Sequence, residues 1–467
     1  MGFKQFRMRR MLLLALVIGT LAAVAASAPA ATHHQAKLTG TITVAYSTTY
    51  VFDADNLSVI WWNNVKSQFE KAYPGAHLKL QGFDGTDVDL VNKVALLYKS
   101  ASTTPDVFML PTGYVGQWVA SNYLAPLDKY VNNKKSAPFW KSFPKVIQNE
   151  SRIKGHVYAV NTGENDSAIY YNKAMLRKAG IKLPWRPKTW AQILTAAKKV
   201  KAANSGVVPL WAAAGTSAGA GGVLQGSANL VLGSKTPTIF DTKTHKWVVD
   251  SPGLREVFQF YRDVYSNGLG ASTSDLFSPK AVGRPVNLMK DHQLAIAIGS
   301  NWFADAWTEE NRHWGTARQE ASAVPFPTSH GQKPGSASTL GGWAVAISRV
   351  AKNKDLAWAL IKVMERNGNQ TYIANHAGFV PPSKVVAKSK GFLNYAPPFN
   401  AAFAAALPNA RVVPSNEAGY PVWVQGIGQA TGQIAQDPKT SVADAIKILR
   451  DTMVNQVGAD KVETKTK

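Results

Sequence analysis

Acidic residues are scarce relative to basic residues in this chain of 467 residues. There are 29 Asp and Glu against 52 Lys and Arg, which gives a formal net charge of +23 at pH 7. Even so, Glu164 and Asp166 stand two positions apart, and Asp84, Asp87 and Asp89 form a second group. Two suitably separated carboxylates can hydrolyse a glycosidic bond. Sequence spacing does not fix that separation, so glycoside hydrolysis stays open on these residues alone.

Composition and motifs exclude most other site chemistry. Cysteine is absent, which excludes disulfides, thiolate metal sites, Cys nucleophiles and iron–sulfur clusters. The segment Asp53-x-Asp55-Asn56 resembles the start of a calcium loop, but Gly and Glu do not follow at the required positions. The nine His never form HExxH, and the Gly-rich segment 215–226 lacks the Lys of a phosphate loop. We therefore expect no catalytic residue, no metal and no cofactor.

The first 30 residues have the features of a secretory signal peptide. Four bases within the first ten residues precede an apolar run, 11–24, that is shorter than the ~20 residues of a membrane span. Ala28-Pro29-Ala30 then offers a small-x-small cleavage site. We expect a mature protein in the periplasm or at the outer cell surface, with no Cys to carry a lipid anchor. An uncleaved N-terminal anchor is the alternative.

The basic charge has two interpretations that the sequence leaves open. The bases are scattered without an Arg-rich stripe, so we expect no nucleic-acid partner. Few carboxylates would suit an acidic habitat, because fewer groups must then be protonated. The basicity could equally hold the protein near an anionic membrane or wall.

Alternating apolar patterns predict an α/β fold. Strands are expected at 42–46, 78–80 and 106–110, separated by helices with one apolar face, which predicts a largely parallel sheet. Further helices are expected after Thr189, at Ser251-Pro252 and from Ser441. Two later strands are expected at 294–298 and 340–347. The chain therefore has enough alternating strands and helices for two α/β units.

Several segments in register resemble the extracellular solute-binding proteins of family 1, the sugar-binding subunits of ABC importers, of the maltose- and trehalose-binding kind. The resemblance rests on these segments: 69–75 (FEKAYPG), 104–108 (TPDVF), 155–160 (GHVYAV), 168–173 (AIYYNK), 187–190 (PKTW), 295–302, 341–348 and 378–381 (GFVP). It spans nearly the whole mature chain. The family implies a two-lobed periplasmic-binding-protein fold of type II, with the ligand in a cleft between the lobes and three crossing segments.

The resemblance also implies domain boundaries and partners. Lobe 1 is expected at 37–161 and 341–396, and lobe 2 at 166–335 and 400–460. The crossings are expected near 162–166, 336–340 and 397–399. The implied partners are a carbohydrate ligand and the transmembrane subunits of an ABC importer, and we expect a monomer.

A sugar ring presents an apolar face and a rim of hydroxyls, so its site needs aromatic and polar side chains. By position relative to the family, the aromatic candidates are Trp302, Trp423, Trp211 and Tyr114. The polar candidates are Glu164, Asn165 and Asp166 at the first crossing, Thr48 and Tyr50 after the first strand, Asp84 after the second, and Asn301 and Gly342. For each candidate, packing or a structural role is the competing interpretation.

We therefore expect a binding protein, not an enzyme, that delivers a neutral mono- or oligosaccharide to a membrane permease. The loops assigned to the cleft have acids and aromatic residues but no clearly placed base, which disfavours phosphorylated ligands. The alternatives within the class are polyols, glycerol phosphates and acidic sugars. The alternative outside it is a secreted carbohydrate-active enzyme.

Overall fold

The computed structural model describes residues 38–48, 57–83, 87–307, 314–396 and 398–466. The expected signal peptide lies outside these residues, as do Tyr50, Asp84 and the segment 53–56. No helix of the described chain has the length and apolar character that crossing a membrane requires.

The described residues contain strands in two principal sheets, one small three-stranded sheet and one two-stranded pair. The strands are β1 (Gly40–Ser47), β2 (Ala76–Phe83), β3 (Val107–Pro111), β4 (Arg152–Ile153), β5 (His156–Val157), β6 (Ala159–Asn165), β7 (Ser167–Asn172), β8 (Val208–Trp211), β9 (Phe240–Asp241), β10 (Lys246–Asp250), β11 (Leu294–Ser300), β12 (Ala321–Pro325), β13 (Ser338–Ile347), β14 (Ala410–Val412) and β15 (Val462–Thr464).

Helices cover much of the remaining described chain. They are α1 (Leu57–Ala72), α2 (Asp87–Leu97), α3 (Val115–Ala120), α4 (Asp128–Val131), α5 (Lys145–Glu150), α6 (Lys173–Lys178), α7 (Trp190–Ala203), α8 (Gly219–Val223), α9 (Asn229–Gly233), α10 (Pro252–Ser266), α11 (Thr273–Leu276), α12 (Arg284–Lys290), α13 (Trp302–Asp305), α14 (Ala317–Glu320), α15 (Lys354–Met364), α16 (Asn367–His376), α17 (Lys384–Ala387), α18 (Lys390–Leu393), α19 (Phe399–Ala406), α20 (Tyr420–Gln436) and α21 (Val442–Val457). Short 3₁₀ turns include Thr112–Tyr114 directly after β3, and Leu224–Ala228 forms a π-helical turn.

The first sheet has the strand order β2-β1-β3-β13-β14, and β6 also pairs with β13. The expected parallel start is confirmed, because β1 runs parallel to both β2 and β3. Strand β13 is antiparallel to both β3 and β6, so the sheet is mixed. All of β3 and the C-terminal half of β1 are buried, as expected for inner strands of a sheet covered on both faces.

The second sheet has the order β12-β7-β11-β8. Here β7 is antiparallel to both neighbours, whereas β11 and β8 are parallel. All seven residues of β11 are buried, which accounts for its continuous apolar sequence Leu294–Ile298.

The predicted helix starts are confirmed by their caps. The side chains of Thr189 and Ser251 accept hydrogen bonds from the backbone N–H groups three residues on, and Pro252 occupies the first turn of α10. Ser441 and Asp444 form a reciprocal capping box at the start of α21.

The chain passes between the two sheets at closely spaced points. Strand β6 of the first sheet continues into β7 of the second with only Asp166 between them. The chain leaves β12 of the second sheet and reaches β13 of the first through 326–337. It then leaves α18, which contacts α16, for α19, which packs on β12 and β7. The crossing strands therefore bring polar residues of both sheets to one place.

Candidate functional site

Asp166 lies at the point where β6 becomes β7. Its backbone groups are hydrogen-bonded to the protein, whereas its side chain is not. The N–H of Asp166 donates to Asn301 Oδ1 at 2.9 Å, and its carbonyl accepts from the Ser300 hydroxyl at 3.0 Å. The residue is 1% exposed, yet neither carboxylate oxygen has a hydrogen-bond partner among the described residues. Burial alone raises the pKa of Asp166 well above its usual value. A buried polar group without partners is costly, which makes Asp166 the strongest candidate for a ligand contact.

A second pair of buried acids lies beside this crossing. The side-chain amide of Asn161 donates both to Glu150 and, at 2.8 Å, to Glu164. The two carboxyl groups are close enough to interact, and Glu164 Oε2 has no hydrogen-bond partner among the described atoms. Burial raises the pKa of Glu150 to about 7, and burial together with the charge of Glu150 raises the pKa of Glu164 well above its usual value. No salt bridge found in the described chain involves either residue.

The loop after β3 closes one side of this acidic group. Thr112 hydrogen-bonds to Glu150, and its hydroxyl accepts from the N–H of Gly342 at 3.0 Å. A Cβ on Gly342 would lie 2.0 Å from the carbonyl oxygen of Gly163, so only glycine fits there. The predicted site residue Gly342 thus lies at the site, with its backbone N–H already bonded to the protein.

Asn301 acts as a clamp between the two sheets. Its Oδ1 accepts from Asp166 N–H and the Ser300 hydroxyl, and its Nδ2 donates to the carbonyls of Glu164 and Gly378. All of its amide positions are therefore used within the protein. The predicted ligand contact by Asn301 would need one of these bonds to be exchanged.

The aromatic candidates divide into two half-buried and two buried residues. Trp302 begins α13 directly after Asn301, and Tyr114 ends the 3₁₀ turn after β3. Both are partly accessible, as a stacking platform must be. Trp211 at the end of β8 and Trp423 in α20 are 2% and 0% exposed, and they pack in the core.

Trp423 retains one feature of a binding residue. Its indole Nε1 and the hydroxyl of Tyr420, which stacks parallel to it at 6.3 Å, are both buried without a partner among the described atoms. The preceding loop reaches the acidic group, because Asn416 donates to the carbonyl of Glu150 and accepts from Gly116 N–H. A ligand that displaced the side chains packed around Tyr420 and Trp423 could accept hydrogen bonds from the Tyr420 hydroxyl and from Trp423 Nε1.

The remaining polar candidates have different positions. Asn165 is half-buried beside Asp166, and its Oδ1 is unpartnered among the described residues. Thr48 is half-buried at the end of β1 and donates its N–H to the carbonyl of Phe83. Tyr50 and Asp84 lie outside the described residues. Contact of these residues with a ligand stays a prediction.

Sequence reasoning missed Glu150, Tyr420 and Asn416. Glu150 is the only acid between Asp128 and Glu164 in a chain short of acids, which was a usable signal. Tyr420 stands three residues before the predicted Trp423, on the same face of α20. Asn416 gave no signal, because its role depends on how the loop before α20 folds back onto Gly116.

Sequence reasoning also passed over a GxSxG pattern, Gly215-Thr216-Ser217-Ala218-Gly219, which follows β8 and enters α8. In α/β-hydrolases this pattern presents a nucleophilic Ser to a His. Here a cavity at the segment is lined by Phe277, Ile448 and glycines and glutamines of α20, with no His or acid among the described lining residues. The described chain also contains no group of three metal-ligating side chains.

Comparison with known proteins places this geometry in a family. A sequence model of the bacterial extracellular solute-binding proteins matches residues 64–398. A putative binding protein of Brucella abortus is 27% identical over 365 residues, which cover 76% of this chain and 80% of that protein. A maltotriose-binding protein of Pyrococcus abyssi is 21% identical over 361 residues, covering 77% and 71%.

The fold is shared with solved structures. The sugar-binding protein MalE of Xanthomonas citri superposes with a TM-score of 0.75 at 19% identity, over 90% of this chain and 98% of that one. The two principal sheets are therefore those of a two-lobed periplasmic-binding-protein fold of type II, as the sequence resemblance implied.

Proposed function

The chain belongs to the bacterial extracellular solute-binding proteins, and we propose that it binds a neutral mono- or oligosaccharide between its lobes and delivers it to the transmembrane subunits of an ABC importer. The single observation that supports this most is Asp166, whose two buried oxygens lack partners at the crossing of the sheets. Sugar hydroxyls donate to carboxylate oxygens, so one ligand would satisfy both. The maltotriose- and sugar-binding proteins similar to this chain support the same ligand class.

The charge of the site supports a neutral ligand. Three buried acids, Glu150, Glu164 and Asp166, lie at or beside the crossing, and no base is bonded to any of them in the described chain. A phosphate or uronate placed there would be repelled at short range, with little screening by water. Half-buried Trp302 and Tyr114 supply the aromatic surface that a sugar ring needs.

The proposed cycle follows from the fold. A ligand that contacts groups of both lobes stabilises the closed state relative to the open one. The permease would then recognise the closed state. We place the protein in the periplasm or at the outer cell surface, consistent with the signal-like residues 1–30.

The test is thermal unfolding of the mature protein against a panel of mono- and disaccharides, polyols and uronates. A ligand at a hundred times its dissociation constant adds about 2.7 kcal/mol to the free energy of unfolding, which is a visible shift. Calorimetry with the ligand that gives a shift should show one sugar bound per chain. The sugar recovered after binding should be chemically unchanged. The matched variants are Asp166→Asn, which should markedly reduce the shift, and Asp250→Asn, which removes an acid elsewhere and should retain it.

Other outcomes select the alternatives. A shift with polyols alone would assign the protein to that ligand class. A shift with uronates or glycerol phosphates alone would overturn the charge argument. Consumption of the sugar would identify a carbohydrate-active enzyme instead.

A further inference from the structure

Glu150 is a buried acid that no expected ligand contact requires. It is the last residue of α5, is 4% exposed, and reaches the crossing strand β6 from outside. It hydrogen-bonds to Thr112, Asn161 and Glu164, whereas the carboxyl group of Glu164 has only Asn161 and Glu150. Glu150 therefore has the larger number of donors that stabilise a carboxylate, and Glu164 is the partner better suited to keep a proton.

The surroundings contain no charge that could replace this proton. Asp166 is the other acid that acts on Glu164, and it raises the cost of a second negative charge. The charged or titratable side chains on the elements packed around the pair are all exposed or half-buried, and none bonds to either carboxyl group: Lys145 on α5, Arg152 on β4, His376 on α16, Arg411 on β14 and Glu417 before α20. Two carboxylates in contact under these conditions share a proton.

We propose that Glu150 is a positioning residue of the sugar site, which accepts the carboxyl proton of Glu164 and so keeps Glu164 uncharged and oriented when a ligand binds. This inference rests on the proposed sugar-binding function. With its proton directed at Glu150, Glu164 offers its remaining oxygen lone pairs to a sugar hydroxyl.

The arrangement links sugar binding to pH. Burial and the contact between the two carboxyl groups raise the pKa values of both, so the pair keeps its shared proton above the usual pH range of a carboxyl group. A bound sugar and a closed cleft remove the remaining water, which disfavours the ionised pair further. The complex then holds its proton more tightly than the free protein does, so affinity falls as pH rises through the range in which the pair loses this proton. For one linked proton the loss is at most tenfold per pH unit.

The experiment is the dissociation constant of the best sugar from the thermal panel, measured between pH 5 and 9. The full mature chain is compared with Glu150→Gln and with Glu365→Gln. Glu365 is a matched control, because it is also a buried acid with a raised pKa, and it is bonded to Gln370 at the end of α15. We expect weaker binding at high pH for the wild type and for Glu365→Gln. Glu150→Gln should have a shallower profile, because the shared proton is lost while Glu164 and Asp166 remain as titratable acids.

A second measurement needs no variant. Calorimetry at pH 7 in two buffers of different ionisation enthalpy should detect proton uptake when the sugar binds to the wild-type protein. Sugar binding with a flat pH profile and no proton uptake would overturn the role of Glu150 but leave the proposed function intact. A pH profile unchanged in a folded Glu150→Gln variant would do the same. Absence of sugar binding at every pH would overturn both.

Discussion

Acids at the crossing strands and acids at the periphery differ in whether a basic side chain is paired with them. Asp250 is buried against Arg255 at 2.7 Å and Arg450 at 3.4 Å, and Asp275 is paired with Arg284 at 2.6 Å. Asp166 and Glu164 are more deeply buried and have no base at all among the described residues. With 52 Lys and Arg in the chain, a shortage of cations cannot explain this difference. Glu365 is also buried without a base, but one of its oxygens is bonded to Gln370. Among the described acids, only Asp166 is buried with both oxygens unpartnered, and it lies at the crossing, where a ligand of both lobes would bind.

Electrostatic stability favours the peripheral arrangement. A buried carboxyl group without a cation lowers the stability of the folded state unless it is protonated. Such groups persist where function requires them, and perturbed titration is common at binding sites. The predictions below test whether the two kinds of acid differ in practice, beginning with the largest expected effect.

The pH dependence of stability should reverse between the two kinds of acid. Burial raises the pKa of Glu150 to about 7, so the folded state binds more protons than the unfolded state between pH 4.5 and 7, and stability falls as pH rises. For Glu150 alone the loss is roughly 3 kcal/mol across this range. The ion pair with Lys66 lowers the pKa of Glu70, and hydrogen bonds from Tyr130 and Lys129 lower that of Asp355. Their stabilisation is present above the unfolded pKa and is lost as pH falls.

The folded state should therefore be most stable at mildly acidic pH. Thermal unfolding without ligand measures this, with the highest midpoint temperature expected there. The decline above pH 4.5 should be shallower in Glu150→Gln, because the titrating group is removed. A stability that rises steadily from pH 4.5 to 7 in the wild type would contradict the assignment of buried, proton-holding acids. Such a profile would mean that the acids of both regions stabilise the folded state in their ionised form.

Replacing Asp166 by Asn should separate binding from stability. Asn keeps the volume but replaces one acceptor oxygen by an NH₂ donor, and a buried group left without its hydrogen-bond partner costs about 1–3 kcal/mol. We expect sugar affinity to fall by about 10- to 100-fold, with a midpoint of unfolding at least as high as that of wild type. Calorimetry and thermal unfolding measure the two effects. Unchanged affinity together with a marked loss of stability would assign Asp166 a purely structural role.

Replacing Asp250 by Asn should have the opposite result. The side chain is 8% exposed and is held by two arginines that are themselves about half exposed, so water partly screens the interaction. We expect a loss of about 1–2 kcal/mol in the free energy of unfolding and no change in sugar affinity. Denaturant unfolding gives the first quantity. A weakened affinity would show that this peripheral acid is coupled to the site.

The sequence predicts the framework of the fold well, because its signals are local. The buried strand Leu294–Ile298, the Ser251-Pro252 start of α10 and the capping box at Ser441 follow from periodicity and from caps. The family resemblance adds the two lobes. The first crossing, expected near 162–166, stays a prediction; β6 is followed by β7 with Asp166 between them.

The detail of the site is less predictable, because it depends on long-range contacts. Glu150 is joined to Glu164 through the amide of Asn161 in β6, and no local pattern indicates that contact between the end of α5 and β6. Asn301 has the type expected of a ligand contact, yet its amide is fully used between Asp166, Glu164 and Gly378. Trp211 and Trp423 were predicted from position relative to the family, and their burial depends on side chains from distant elements.

The smallest effect is expected at an exposed pair. Lys447 and Asp451 lie four residues apart on α21 at 2.5 Å, with half or more of each side chain exposed. Exposed helical pairs of this spacing contribute about 0.3–0.5 kcal/mol and are screened by salt. Asp451→Asn should therefore lower the free energy of unfolding by no more than this amount, and the difference should vanish at 1 M salt. Since this acid is paired but solvated, a loss as large as that of Asp250→Asn would show that pairing alone, without burial, sets the contribution of the peripheral acids.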